Sequence, residues 1–399
     1  MDKEKAQRIY KVIMLMIITV LVTAIITTVI VYKKVTGTIN FDNIIASGDN
    51  SGLELTLSKL RSMIEDEYIG EINDEAMIES AIKGYVAGLG DKYTEYYSPK
   101  EMSNQLDETY GNYVGIGIYM IVNKENGQIL VVKPMEGSPA EKVGIQTGDI
   151  IVKVEGEEVT AENVTEMTNN IKGEEGTKVK LTILRGEKNL ELEVERKRIV
   201  VSHINSKMLD NNIGYLNIVD FDGGTATEFE NKYKELERQG MKSLVIDIRN
   251  NGGGVVDEAI DILDMLLPKD SALLITVNKK GEEKITKAQL EQKISIPVVV
   301  LANEYSASAS EILAGALKDN NRAKIVGMKT YGKGVIQTLH TLTDGSGLKI
   351  TSEEYCTPSH NKINKVGIEP DYQVEISEDA KQLTDKNDNQ FKKAIELLK

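Results

Sequence analysis

Ser308 falls in Asn303-Glu304-Tyr305-Ser306-Ala307-Ser308-Ala309-Ser310-Glu311, a run of small and polar residues between an apolar strand pattern at 297–302 and an apolar helical pattern at 308–319. That placement puts a hydroxyl at a strand-to-helix turn, where unpaired N–H groups and the positive end of the helix dipole favour the negative charge that develops in acyl transfer. The same residues have a purely structural explanation, because Ser308-Ala309-Ser310-Glu311 is also a capping box. A serine hydroxyl is a weak nucleophile without a base. The three histidines, His203, His340 and His360, stand in no triad order and are expected in surface or turn roles. Lys333 is better placed, in Gly332-Lys333-Gly334, where glycines permit close backbone approach. To accept a proton it must be neutral, so its pKa must fall from about 10.4 to about 7 or 8, a cost on the order of 4 kcal/mol that burial beside apolar groups supplies. Gln337, four positions on, reaches the amine only if the chain turns, since on a straight strand the two backbones would stand roughly 13 Å apart. A lone Gly-Lys-Gly is equally a turn carrying a solvated lysine.

The elements that must position these residues are legible as a change of period along the chain. From about residue 199 strands alternate with helices: strands at 213–218, 244–248 and 297–302, helices at 225–239, 255–267 and 308–319. Alternation of this kind predicts crossover connections and a largely parallel sheet, with ligands at the carboxyl ends of its strands. Residues 53–108 repeat their apolar positions at helical spacing, as in Leu53, Leu57, Leu60 and Ile64, and predict a small helical domain broken at Gly88-Leu89-Gly90 and restarted at Ser98-Pro99. Between 109 and 198, short β-branched runs at 115–122, 129–132, 150–154, 179–184 and 190–194 predict a small β-rich module. The fold class is thus multidomain α+β ending in an α/β domain from 199 to 399.

Net charge is -14, from 62 acidic and 48 basic residues, which argues against a nucleic-acid partner. One cysteine, Cys356, excludes an intramolecular disulfide or a zinc cluster, and no metal or organic cofactor is expected. Residues 12–31 carry no charge and are long enough to cross roughly 30 Å of hydrocarbon as one helix. Lys3, Lys5, Arg8 and Lys11 precede it while only Lys33 and Lys34 follow closely, so the N-terminus is expected in the cytoplasm and the rest of the chain outside it. The rival, a cleaved signal peptide, lacks a small-residue cleavage site after residue 31. Residues 1–35 are therefore read as a cytoplasmic stub and single-pass membrane anchor, and 36–52, rich in Gly, Ser, Asn and Asp, as a linker.

Residues 137–151, Gly-Ser-Pro-Ala-Glu-Lys-Val-Gly-Ile-Gln-Thr-Gly-Asp-Ile-Ile, resemble the most recognisable stretch of PDZ domains. Upstream, Gly115, Ile116, Gly117 and Ile118 resemble the carboxylate-binding loop of that family, which implies capture of an exposed C-terminus and addition of the bound peptide as an extra strand.

Four further motifs occur in order: Asp247-Ile248-Arg249-Asn250-Asn251-Gly252-Gly253-Gly254, residues 306–311, Thr330-Tyr331-Gly332-Lys333-Gly334-Val335-Ile336-Gln337, and Thr357-Pro358-Ser359 leading to Gly367-Ile368-Glu369-Pro370-Asp371. With them the chain, from about residue 53 onward, resembles the carboxyl-terminal processing peptidases, the tail-specific S41 family of serine peptidases. The resemblance implies a crotonase-like, ClpP-like peptidase core. It makes Ser308 the nucleophile, Lys333 the general base and Gln337 the residue that orients it. It gives the oxyanion hole to the N–H of Ala309 and that of a glycine in the Gly-rich turn, Gly253. Gly252 stands where members carry Pro or Ser, and His360 where a glycine is common. The implied partners are protein or peptide substrates with exposed C-termini. A homodimer through the helical domain is a further expectation, taken from some members. The rival from another class is a membrane-tethered tail-binding adaptor with an inactive α/β domain.

Overall fold

A computed structural model describes Met14 and residues 51–111, 113–123, 125–199, 201–377 and 387–399. Apart from Met14 and residues 51–52, the expected anchor and linker lie outside the described residues. Among the described residues no helix is long and apolar enough to cross a membrane. The chain divides into two units, residues 1–78 and 79–399. The first holds helix α1 (Ser51–Glu67), in which Arg61 pairs with Glu65 one turn on at 2.8 Å. Helix α2 (Asp74–Ala87) begins in the first unit and ends in the second. Its start is set by Asn73, whose side-chain oxygen accepts the N–H of Ala76 at 3.0 Å.

The larger unit continues with strand β1 (Glu95–Tyr97) and helix α3 (Pro99–Thr109). α3 starts with Pro99 in its first turn, as the sequence predicts, and the Glu101 carboxylate accepts both the N–H of Ser98 at 2.9 Å and its hydroxyl at 3.0 Å. β1 does not belong to a separate helical domain. It pairs antiparallel with a strand 250 residues later, Glu95 opposite Lys349, so the expected boundary at residue 108 cuts through a shared sheet.

The β-rich module contains β2 (Tyr113–Gly115), β3 (Ile118–Asn123), β4 (Gln128–Pro134), helix α4 (Pro139–Lys142), β5 (Ile150–Val154), β6 (Glu157–Glu158), helix α5 (Val164–Ile171), β7 (Lys178–Arg185), β8 (Lys188–Glu195) and β9 (Lys197–Ile199). Its sheet runs β3-β4-β5-β7-β8, antiparallel throughout, with β3 at an edge. Val179, Leu181 and Ile183 alternate inward on β7 and meet Val164, Met167 and Ile171 of α5 in one core. β2 and β9 pair with each other where the chain enters and leaves the module. The single strand expected at 115–122 is in fact β2 and β3, separated by residues 116–117; Gly117 there has φ +76°, and a Cβ on it would lie 2.5 Å from Cβ of Ser138.

The α/β part is built from β10 (Ile204–Met208), β11 (Ile213–Ile218), α6 (Thr225–Arg238), β12 (Ser243–Asp247), α7 (Val256–Leu266), β13 (Ala272–Asn278), β14 (Glu283–Lys287), β15 (Val298–Ala302), α8 (Ala309–Asp319), β16 (Ala323–Gly327), β17 (Val335–Thr341), β18 (Gly347–Cys356), β19 (Tyr372–Gln373) and α9 (Asn389–Leu397). One sheet runs β10-β11-β12-β15-β16-β19, parallel except at β10. Alternation along its strands decides both faces: Leu244, Ile246, Val298 and Val300 pack with α6, α7 and α8, while Val245, Val299 and Leu301 pack with Phe391 and Ala394 of α9. The second sheet centres on β18, which pairs with β17 along its length and with β1 and β13 in turn.

Candidate active site

β15 delivers the chain to Ser308 and α8 leaves from it. Ser308 has φ 57° and ψ −117°, a region that side-chain-bearing residues avoid, and is 7 % exposed. Strain of this kind costs about 1–3 kcal/mol and persists only where its surroundings enforce it. Here the turn is enforced from behind, since Ser306 donates its hydroxyl to the carbonyl of Ile248 at 2.8 Å and Ser310 donates to that of Asn251 at 3.0 Å. A consequence is that Ser308→Gly should unfold at a higher temperature than Ser308→Ala, a gain of about 1 kcal/mol, because only alanine keeps the strain. Equal thermal midpoints for the two variants would contradict a strained turn.

Ser308, Lys333 and Gln337 line one cavity of about 480 Å³, together with Tyr93, Gly252, Gly254 and Lys349. Lys333 enters it from the turn before β17. Its pKa is lowered, first by burial, then by the like charges of Lys349 and Lys92, against an opposing pull from Glu311. The side-chain amide of Gln337 donates to Oγ1 of Thr351 at 3.2 Å on β18, the strand beside it. Gly253 lies directly behind the serine: with φ +104°, a Cβ there would come within 2.7 Å of Cβ of Ser308. Its N–H donates to Oδ1 of Asn251 at 2.8 Å. Ala309 opens α8, and its N–H has no acceptor among the described residues.

The capping-box glutamate does more than cap. Glu311 is fully buried, and four donors converge on its carboxylate: the N–H of Ser308 at 3.0 Å, the N–H groups of Gly332 at 2.7 Å and Lys333 at 2.8 Å, and the hydroxyl of Thr330 at 2.6 Å. One side chain thus ties the serine turn to the lysine turn. Tyr355, buried on β18, adds a second tie, its hydroxyl touching the carbonyls of both Ser308 and Lys333. Glu311 was legible only as a cap, and nothing in the spacing of Tyr355 marks it.

Behind the Gly-rich turn, Arg249 is buried among Asp247, Asp388 and Gln390, donating to Asp388 at 2.8 Å and to Gln390 at 2.9 Å. The two carboxylates hold its pKa above the usual guanidinium value in spite of burial. Residues at the head of α9 therefore fix the turn that carries Gly253, a link across 139 positions that no local pattern announces.

None of the histidines lines this cavity. His340 and His360 are exposed, as expected. His203 is not at the surface: it is 5 % exposed, and its Nδ1 pairs with Oδ1 of Asp220 at 2.6 Å, which satisfies the buried ring nitrogen. Ligand atoms of His203, Asp220 and Asp222 lie within 4.8 Å of one another. Asp220 is engaged with the imidazole and Asp222 accepts from the Tyr113 hydroxyl at 3.2 Å, so the trio is a hydrogen-bonded joint where the β-rich module meets the α/β part.

In the module, Gly115, Ile116, Gly117 and Ile118 line a mostly apolar groove of about 870 Å³ that runs along edge strand β3 and is walled by Ile171 of α5 and Asn104 of α3. The N–H groups of Ile116 and Gly117 have no acceptor among the described residues, which suits an incoming carboxylate or strand.

A parallel sheet presenting a strained serine at a helix head, joined to a module with an open strand edge and groove, describes a serine-hydrolase scaffold with its own peptide-binding domain. Residues 212–374 match peptidase family S41 and residues 114–195 match the PDZ domain family. The chain is 37 % identical to the carboxy-terminal processing protease CtpA of Bacillus subtilis (strain 168), over 82 % of this chain and 70 % of that protein. It is 36 % identical to a probable CtpA-like serine protease of Staphylococcus haemolyticus, over 78 % of this chain and 62 % of that protein. Among solved structures, a photosystem II D1 C-terminal processing protease is similar with a TM-score of 0.48 and 30 % identity, covering 79 % of this chain and 86 % of that one. The chain belongs to the S41 family of carboxy-terminal processing serine peptidases and carries a PDZ domain.

Proposed function

We propose that this protein is an endopeptidase in which Ser308 attacks the substrate carbonyl and Lys333 takes the serine proton. One observation carries the reading: Ser308, held in a strained turn at the head of α8, shares a cavity with a lysine whose amine is pushed toward its neutral form mainly by burial. A neutral amine accepts the hydroxyl proton as the acyl-enzyme forms, returns it to the leaving amine, and then activates water for deacylation. The Ala309 N–H is aimed by the helix at the developing oxyanion. Gly253 joins it if Asn251 releases its N–H, with Gly252 and Gly254 on the same turn. Gln337 steadies the lysine after exchanging Thr351 for the amine.

The groove at Gly115, Ile116, Gly117 and Ile118 takes the exposed C-terminal tail of a protein substrate as an added strand beside β3, with the tail carboxylate on the free N–H groups. The uncharged run at 12–31 anchors the protein in the cell membrane with residues 1–11 in the cytoplasm and the peptidase outside it. The test is direct: the full chain is mixed with an unstructured protein ending in an apolar tail, the new C-termini are read, and the enzyme is examined for a covalent adduct. An acyl or phosphonate adduct on Ser308 is expected. Cleavage with labelling at another residue, or tail binding with no cleavage at all, would replace this reading with a different nucleophile or with a tethered adaptor.

A further inference from the structure

The cavity has a roof that the chemistry above does not use. Tyr93 stands in the loop between α2 and β1, and its ring centroid is 4.8 Å from Nζ of Lys333. The loop is built rather than loose. Asp91 accepts the Thr94 hydroxyl at 2.6 Å and the Tyr93 N–H at 3.2 Å, and the Thr94 oxygen accepts the N–H of Thr351 on β18 at 3.1 Å. β1 then pairs with β18, so Tyr93 is fastened to the strand beside the lysine turn. Nζ of Lys92 lies 4.7 Å from the same ring centroid, donates to the hydroxyl of Tyr331 at 3.1 Å and sits 5.4 Å from the Tyr331 ring. Two lysine nitrogens thus share one tyrosine ring. Lys349, also in the cavity wall, has Glu95 at 3.2 Å to balance it; Lys92 has no carboxylate within ion-pair distance among the described residues.

Resting on the Ser308/Lys333 reading, we propose that Lys92 and Tyr93 are positioning residues of the catalytic base: Tyr93 is the lid that covers the Lys333 amine, and Lys92 is an unbalanced ammonium held against the same ring.

The physical effect has two parts. Covering the amine removes water that would otherwise stabilise its charged form. The ring face attracts an ammonium in return, an opposing pull, but the net direction for Lys333 is downward, with burial the largest cause. The second part is repulsion. Since both nitrogens lie within 5 Å of one centroid, they stand no more than about 10 Å apart, comparable with the screening length at 0.1 M salt. Lys92 is exposed and stays protonated, its pKa raised by the Tyr331 hydroxyl, so its charge disfavours a second ammonium on Lys333 over the whole working range. The other charged or titratable groups around Lys333 are Lys349 and Tyr355 on β18, Glu311 on α8, and Asp222 and Asp257 elsewhere in the cavity wall.

The measurement is kcat/KM against pH for the full chain with a tailed peptide substrate. Lys92→Met is expected to move the acidic limb up by about half a pH unit, so that activity on that limb falls about threefold while the plateau holds. Lys92→Arg should restore the wild-type limb, and Tyr93→Ala should move it up as well. Added salt should raise the limb of the wild type further than that of Lys92→Met, which keeps only the like charge of Lys349 to be screened, a comparison that needs no core substitution. If Lys92→Met raises KM without moving the limb, or if Lys92→Arg shifts as far as Lys92→Met, the inference is overturned. Lys333→Ala run in parallel separates the two failures: an active Lys333→Ala enzyme sinks the base itself, whereas an inactive one with an unmoved Lys92→Met limb sinks only the role of the roof.

Discussion

Lys333→Met should abolish peptide hydrolysis and, at neutral pH, make the folded protein harder to unfold. The loss follows from the missing proton acceptor, worth about 10²–10⁴-fold by general-base catalysis alone, and Ser308→Ala should lose at least as much. The double variant should be no slower than the worse of the two, because both act in one step. The stability gain follows from linkage. Lys333 has a folded-state pKa below its ordinary 10.5, with burial the main cause. Between that depressed value and 10.5 the unfolded chain binds a proton that the folded chain does not, so the lysine opposes folding there. Its penalty is complete below the folded pKa and fades as pH rises toward 10.5. Methionine keeps much of the apolar stem and carries no charge to desolvate. The gain in thermal midpoint should therefore be largest at neutral pH and shrink toward pH 10. Wild-type turnover by Lys333→Met would end the proposed chemistry, and a midpoint unchanged at pH 7 would show the amine to be well solvated.

Glu311→Ala should cost more than any single contact in the cavity, because it uncouples the serine turn from the lysine turn. All four groups facing the carboxylate are donors, and the residue is fully buried. Stranding such donors costs about 1–3 kcal/mol each before relaxation, so a net destabilisation of about 3–5 kcal/mol is expected, with kcat down by about 10²-fold or more in whatever protein remains folded. Glu311→Gln is the sharper variant. It fills the same space but replaces one acceptor oxygen with an NH₂ pointed at other donors, so it should recover little of the activity. Thermal unfolding together with kcat on the soluble fraction decides it. A Glu311→Gln enzyme with wild-type stability and rate would show that the four contacts do not carry the coupling.

Much of this architecture is legible in the amino-acid sequence alone. Period and punctuation located the strands at 213–218 and 150–154 to the residue, and placed helices at 225–239, 255–267 and 308–319 within one residue of their observed ends or starts. Among the elements that escaped were β1, β10, β13, β14, β16, β17, β18 and β19, and the helices α5 and α9. β17 and β18 carry Lys, Glu, Thr and His among few large apolar residues, and most of their positions are only half buried. Such strands are specified by pairing rather than by a hydrophobic face, and pairing is not a local property. The helical reading of 53–108 failed at β1 for the same reason: three residues become a strand only because β18 is there to receive them.

The sequence by itself determined the order of the elements, the serine at a strand-to-helix turn, the lysine between two glycines, and the glycines that leave a loop free to meet a peptide end. These are consequences of local sterics and periodicity, which each segment carries wherever it is placed. Only the tertiary structure decided that Ser308 would be strained, that Glu311 would bind two turns through one carboxylate, that Arg249 would be held from the head of α9, and that Tyr93 would lie over Lys333. Each of those depends on groups that are far apart along the chain. Their energies come from burial and from charge at close range, and both exist only once the distant segments have been packed together.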